Sequence, residues 1–206
     1  MTHTLHRRGT KESLSKDYVL FCMAAKGLNE DGADEKMREF LRIVLKNKAI
    51  NIGDMKTGNS LERNPDEIIA KVTSTSIVHG VFADLETVIR AMKVVKKANL
   101  GMSVVVSGPF ASIEEACGKA GLTPHSVDYS AGIWGKTEKL ARPEILEFTT
   151  MCGHAMISAN LVEDIVRRIR AGATTVKEGS IEIGKVCSCG IFNTDRAEKM
   201  LRKLAH

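Results

Sequence analysis

Apolar runs of strand length alternate with amphipathic stretches over the first two thirds of the chain, the pattern of an α/β protein whose helices cover a sheet. The runs predict strands over Tyr18–Ala24, Ala49–Gly53, Ser76–Phe82, Met102–Ser107 and Ser126–Ile133. Several are apolar without alternation, as strands covered on both faces are, and this predicts a mostly parallel central sheet with crossover helices. Between the strands, Asp34–Leu45 places Met37, Leu41, Val44 and Leu45 on one helical face. Leu85–Lys97 does the same with Val88, Ile89, Met92 and Val95. Ile113–Ala120 predicts a shorter helix closed by Gly121.

After Gly135 the pattern changes to a polar connector, KTEKLARPE, then a short apolar piece and mostly helical sequence. The chain therefore divides into a polar arm over 1–16, an α/β sheet layer over 17–135 and a helical C-terminal region over 144–206. The last is small for an independent core and is expected to be a subdomain. Residues 1–16 are polar enough to form a mobile arm.

At 206 residues and 43% hydrophobic content the chain has a core without help from a disulfide or metal, so any metal site needs another reason. No apolar run approaches membrane-spanning length and MTHTLHRRGTKESLSKD contains no signal-like apolar stretch. A cytoplasmic protein that does not enter membranes is expected. The net charge of +5 resides at the ends: residues 1–16 carry four Lys/Arg against one acid, and 167–206 carry nine against four. Without aromatic residues interleaved among the basic ones, nucleic acid is not the expected partner.

Five cysteines without a secretion signal point to reactive or metal-binding thiols rather than disulfides. Cys22, in YVLFCMAA, and Cys117, in SIEEACGKAG, read as small core hydrophobes. Cys152, Cys187 and Cys189 instead lie in glycine-bearing segments, MCGH and VCSCG, each ahead of a predicted helix. Asn160 with Glu163 predicts the cap of the first helix and Thr194 the cap of the second. A helix N-terminus and loop amides favour the thiolate, the form that attacks and binds metal.

The leading expectation is a soft metal centre held by Cys152, Cys187 and Cys189 with His154 or an external ligand, an iron–sulfur cluster ahead of zinc, since three thiolates could leave one iron open to a substrate. Competing expectations are a redox pair or nucleophile at Cys187 and Cys189, a Cys152 nucleophile beside His154, and plain packing.

The segments NIGDMKTGN, SAGIWGKTEKL, TTMCGHAMISANLV and CSCGIFNTDRAEKML resemble a family of uncharacterised proteins from anaerobic archaea and bacteria over about residues 5 to 204. The resemblance implies no substrate and no catalytic residue. It does imply an oxygen-free cytosol, in which exposed thiolates and labile clusters survive.

Asp54, Lys56 and Asn59 lie in a glycine-bearing turn that, in a parallel sheet, falls at the carboxyl end of a strand where ligands bind. With His79, which precedes Gly80 near Asp84, they are the candidate small-molecule contacts. The VVVSGPF turn lacks the glycine and lysine spacing of a phosphate loop. His125 is expected in the core and Trp134 as a plug between the two regions. The expected function is a cytosolic metal-binding protein of anaerobic metabolism whose centre acts on or near a small molecule. The alternatives are a metal-delivery or redox-sensing accessory protein that docks a protein partner through its basic C-terminal helix, and a thiol–disulfide protein using Cys187 and Cys189.

Overall fold

The computed structural model describes residues 4–205; residues 1–3 of the expected arm, His3 among them, and His206 lie outside the described residues. Five strands, β1 (Tyr18–Met23), β2 (Asn51–Asp54), β3 (Gly58–Asn59), β4 (Ile77–Phe82) and β5 (Ser103–Ser107), form one sheet in the order β3-β2-β4-β1-β5. Every pairing is antiparallel, with Tyr18 opposite Phe82, Asn51 opposite Val81 and Val19 opposite Ser107.

The expected mostly parallel sheet is thus corrected to an antiparallel one. Helix α2 (Ala33–Lys46) connects β1 to β2, and α4 (Leu85–Ala98) connects β4 to β5. Each crossover skips one position, and the strand of the other unit fills the gap, which is the split β-α-β arrangement. β1 and β4 are apolar on both faces because both of their faces are covered, the same condition that makes parallel strands apolar. On the first face, Tyr18, Leu20, Cys22 and Val78 pack against Met37, Phe40 and Leu41 of α2 and Val88, Ile89 and Met92 of α4. Helices α3 (Pro65–Ala70) and α5 (Phe110–Ala120) complete this layer.

On the second face, Val19, Phe21 and Val81 meet the C-terminal helices α6 (Pro143–Thr149), α7 (Ala159–Arg170), α8 (Val176–Lys185) and α9 (Thr194–Ala205). Ile145, Phe148, Val162, Ile165, Phe192 and Leu201 supply that interface and are buried. The sequence 126–133 forms no strand and lies largely exposed.

A buried group of charges pins the helices to the sheet. Asp17, fully buried at the entry to β1, pairs with Arg7 and with Arg196 of α9, at 2.8 Å for the latter. Arg196 is 1% exposed and also donates to Ser13 Oγ at 3.0 Å, to the Arg8 carbonyl at 2.6 Å and to Glu147 of α6 at 3.2 Å. Asn193 donates to the Lys16 carbonyl and to Asp17, and its Oδ1 accepts the Arg196 amide at 2.8 Å. The segment expected as a solvated arm is thus docked, Lys11–Leu14 forming a one-turn helix, α1, capped by Thr10. Two guanidiniums against two carboxylates keep the group neutral, which is what makes its burial tolerable.

Removing one member leaves an uncompensated buried charge. Arg196→Met is expected to lower the unfolding free energy by about 3–5 kcal/mol, and Arg196→Lys to recover little of it, because an ammonium cannot reproduce the planar fork. Urea unfolding of the three proteins tests this; a loss below about 1 kcal/mol in both variants contradicts it.

Candidate thiolate centre

The three cysteines from the glycine-bearing segments converge. Cys152 lies between α6 and α7, and Cys187 and Cys189 lie between α8 and α9. All three are buried, at 2%, 0% and 1% exposure. Cys187 Sγ is 3.8 Å from Cys189 Sγ, and Cys189 Sγ is 3.5 Å from His154 Nδ1. The Cys187 thiol also hydrogen-bonds Cys152, so it sits between two sulfurs, while His154 occupies the exposed side of the cluster.

Anion stabilisation comes from loop amides rather than from the expected helix N-termini. Both thiol segments continue the last turns of the helices before them: the Cys152 amide donates to the Thr149 carbonyl and the Cys187 amide to the Gly184 carbonyl. The next helices start later. Ser158, not Asn160, caps α7 by accepting the Leu161 amide, and Asn193 serves the first turn of α9. In the Cys152 loop, Ala155 adopts φ +55°, uncommon for a residue with a Cβ, and the amides of Met156 and His154 donate to the Cys152 sulfur.

These contacts separate the thiols by charge. Hydrogen bonding from Cys187, against the opposing effect of burial, holds Cys152 down to about 6, with the two loop amides and His154 assisting. Hydrogen bonding from Cys187 likewise holds Cys189 down to about 6, helped by the Ile191 amide and His154. Cys187 is pushed strongly up by the sulfurs on either side of it and keeps its proton. Cys22, as expected of a core thiol, is pushed up to about 12 by burial, and burial also raises Cys117.

The second face of the sheet is the floor of the site. The Asn59 amide nitrogen reaches the Cys187 carbonyl at 3.4 Å and the Ser188 carbonyl at 3.3 Å, and Asn51 donates to the Gly190 carbonyl. Gly190 has φ +77°, and a Cβ there would lie 2.1 Å from Asn59 Cβ. A Cβ on Gly53 would meet His79 Cε1 at 2.6 Å and the Cys189 carbonyl at 2.8 Å. The loop therefore lies directly on β2 because two glycines remove the side chains that would hold it off.

Of the predicted small-molecule contacts, Asn59 and His79 lie on this floor, both fully buried, with His79 also 6.0 Å from the Phe21 ring. Asp54 is buried and holds its own hairpin, accepting from Ser76 Oγ at 2.8 Å, Thr57 Oγ1 at 3.2 Å and the Lys56 amide at 3.2 Å. Lys56 Nζ donates to Thr75 Oγ1 at 2.6 Å at the exposed end of the turn. The case for this loop as a ligand site rested on a parallel sheet; in the antiparallel sheet it is the β2–β3 turn. Asp84 caps α4 by accepting the Thr87 amide. His125 and Trp134, expected in the core and at the junction, are exposed, Trp134 at 82%. Two clefts of about 180 and 260 Å³ lie along the N-terminal segment, lined by Thr4, Arg7 and Asp17 and by Arg8, Thr10 and Glu147 respectively.

Arg7 is the site residue that sequence reasoning missed. Its guanidinium, anchored on Asp17, donates to the Ile191 carbonyl and to the Met151 carbonyl at 3.4 Å, so one side chain clamps the residues flanking Cys189 and Cys152. A basic residue in a polar N-terminal stretch carries no sequence mark of burial. Asn51 and Gly53, polar and small within an apolar strand, were the available signal for a close packing partner.

Among the described residues no group of three or more His, Cys, Asp or Glu side chains is arranged to hold a metal ion as it stands. The cluster is a hydrogen-bonded set of one thiol, two thiolates and an imidazole.

Two outcomes follow for the metal-free chain. Groups held below their unfolded value of 9.0 add stability as pH rises from the folded value towards 9.0 and keep all of it above that. Stability is therefore expected to rise from about pH 6 to about pH 9 as Cys152 and Cys189 ionise, and to fall above that as Cys187 resists ionisation. Thermal melts of the wild type and of Cys152→Ser across this range check it; a profile unchanged by the substitution contradicts it. Gly190→Ala is expected to expel the loop from Asn59 and to speed iodoacetamide labelling of Cys187 and Cys189 at least tenfold, with no change at Cys22; uniform labelling rates contradict the packing described.

No protein-family model, no curated protein and no solved structure matches this chain.

Proposed function

We propose that the chain binds a single soft metal ion through Cys152, Cys187, Cys189 and His154 and acts in the cytosol as a metal-delivery or metal-sensing protein. The observation that carries this reading is the pair of edges in the cluster, 3.8 Å from sulfur to sulfur and 3.5 Å from sulfur to nitrogen. A zinc ion with sulfurs at about 2.3 Å and nitrogen at about 2.0 Å has tetrahedral edges of about 3.8 and 3.5 Å. Loss of the proton on Cys187 would convert the hydrogen-bonded set into three thiolates and an imidazole. In a four-iron cluster each cysteine takes its own iron, which spreads the sulfurs wider than the edge of one ion's shell, whereas a two-iron cluster places two cysteines on one iron at that same edge. The spacing therefore favours a mononuclear ion, zinc first, over a four-iron cluster, and the sulfide measurement below separates it from a two-iron one.

Four protein donors fill a tetrahedron and leave no open position, which favours a carrier over an enzyme. The direct contact of Asn59 with the thiol loop points the same way, since a substrate has no room between them. Bound this way, the ion supplies Lewis acidity only when a protein ligand leaves. His154, on the exposed side of three buried thiols, is the ligand placed to leave and to admit a metal acceptor.

A second reading, thiol–disulfide exchange, is favoured by the neutral Cys187 lying against ionised Cys189. It predicts metal-free protein and a reversible Cys187–Cys189 bond.

Elemental analysis and acid-labile sulfide on protein purified without oxygen distinguish the two. The metal reading predicts one equivalent of metal and no sulfide, lost in Cys187→Ser and Cys189→Ser and retained in Cys22→Ser. Metal-free protein, or equal loss in all three variants, contradicts it.

A further inference from the structure

Of the twelve large hydrophobic side chains that are exposed among the described residues, eight fall between positions 104 and 140. They are Val104, Val105, Phe110, Leu122, Val127, Tyr129, Trp134 and Leu140, with Tyr129 80% and Trp134 82% exposed. Together they present on the order of 800 Å² of exposed side chain, which is what one partner contributes to a standard interface.

Two features within this stretch are complementary. β5 is the terminal strand of the sheet, pairing with β1, and its sequence Ser-Val-Val-Val-Ser contains no charge and no proline. Sheet edges that face water are ordinarily blunted by such residues, because a bare edge recruits another strand. The second feature is Ser126–Ile133, which alternates Val127, Tyr129, Ala131 and Ile133 as a half-buried strand does, yet forms no strand and lies largely exposed, with Ser130 hydrogen-bonded to His6. Among the described residues β5 thus pairs with β1 alone, Ser107 at its end donating to Thr4 Oγ1 at 2.6 Å, while 126–133 is an unused strand.

We propose that the chain forms a two-fold dimer in which Ser126–Ile133 of each copy adds to the free edge of β5 in the other. A second copy is the partner that satisfies both features at once, since an isologous contact uses each of them twice. Asp128 is the one charged residue between Thr123 and Gly135, so the juxtaposed segments carry little mutual repulsion. Pairing would cover Val104, Val105, Tyr129 and Trp134 and give 126–133 the ladder that its sequence is patterned for.

Light scattering after size exclusion on the full chain, with hydrogen exchange on the same sample, tests the proposal. The expected result is twice the chain mass at micromolar concentration with slowly exchanging amides over 126–133. Val105→Lys and Tyr129→Asp are each expected to halve the mass and to speed exchange over 126–133 at least tenfold, leaving exchange of β1 and β4 unchanged. A monomeric wild type overturns the proposal whether 126–133 exchanges fast or is protected by pairing with its own β5. A dimer whose 126–133 amides exchange freely also overturns it, since the contact then lies elsewhere.

Discussion

The carboxylate of Asp17 is where three parts of the chain are tied together. It accepts from Arg7 in the N-terminal segment and from Arg196 and Asn193 in the C-terminal region, at the point where β1 enters the sheet. A buried carboxylate needs its partners, and each partner here has further obligations. Arg196 reaches Glu147 and the Arg8 carbonyl, which fixes α9 against α6 and the N-terminal segment. Arg7 reaches the Met151 and Ile191 carbonyls, which fixes the backbone beside two of the three thiols. The geometry of the thiol cluster thus follows from a charge balance set in a different part of the molecule.

That dependence explains which parts were legible in the sequence. Four of five predicted strands form, and α2, α4 and α5 cover the predicted spans, because apolar periodicity reports directly on the buried face of an element. The parallel sheet did not form, because apolarity on both faces records coverage and not strand direction. β3 and α1, at two and four residues, are too short for any period to register. α3 announced itself only through Asn64 and Pro65 at its start. The fifth predicted strand, 126–133, carries the pattern of a strand without a neighbour in its own sheet.

The site was half legible for the same reason. Cys152, Cys187 and Cys189 stand out because they lie in glycine-bearing segments ahead of predicted helices, whereas Cys22 is embedded in apolar sequence and Cys117 lies within the helical period of α5. Arg7, Asp17 and Arg196 look like any surface charge until the fold brings them together. The Asp54 turn drew notice for its polar handles, but Asp54 binds its own hairpin, and the residues that reach the thiol loop are Asn51, Asn59 and the gap left by Gly53.

On the proposed metal-binding reading, metal and proton compete for the same sulfurs. Cys152 and Cys189 are already favoured as thiolates, and Cys187 is the thiol whose proton a bound metal would displace. X-ray absorption at the metal edge, on protein purified without oxygen, tests this most directly. The account predicts a single ion with three sulfur neighbours at about 2.3 Å and one nitrogen at about 2.0 Å. An absorber surrounded by oxygen alone, or no absorber at all, would contradict it.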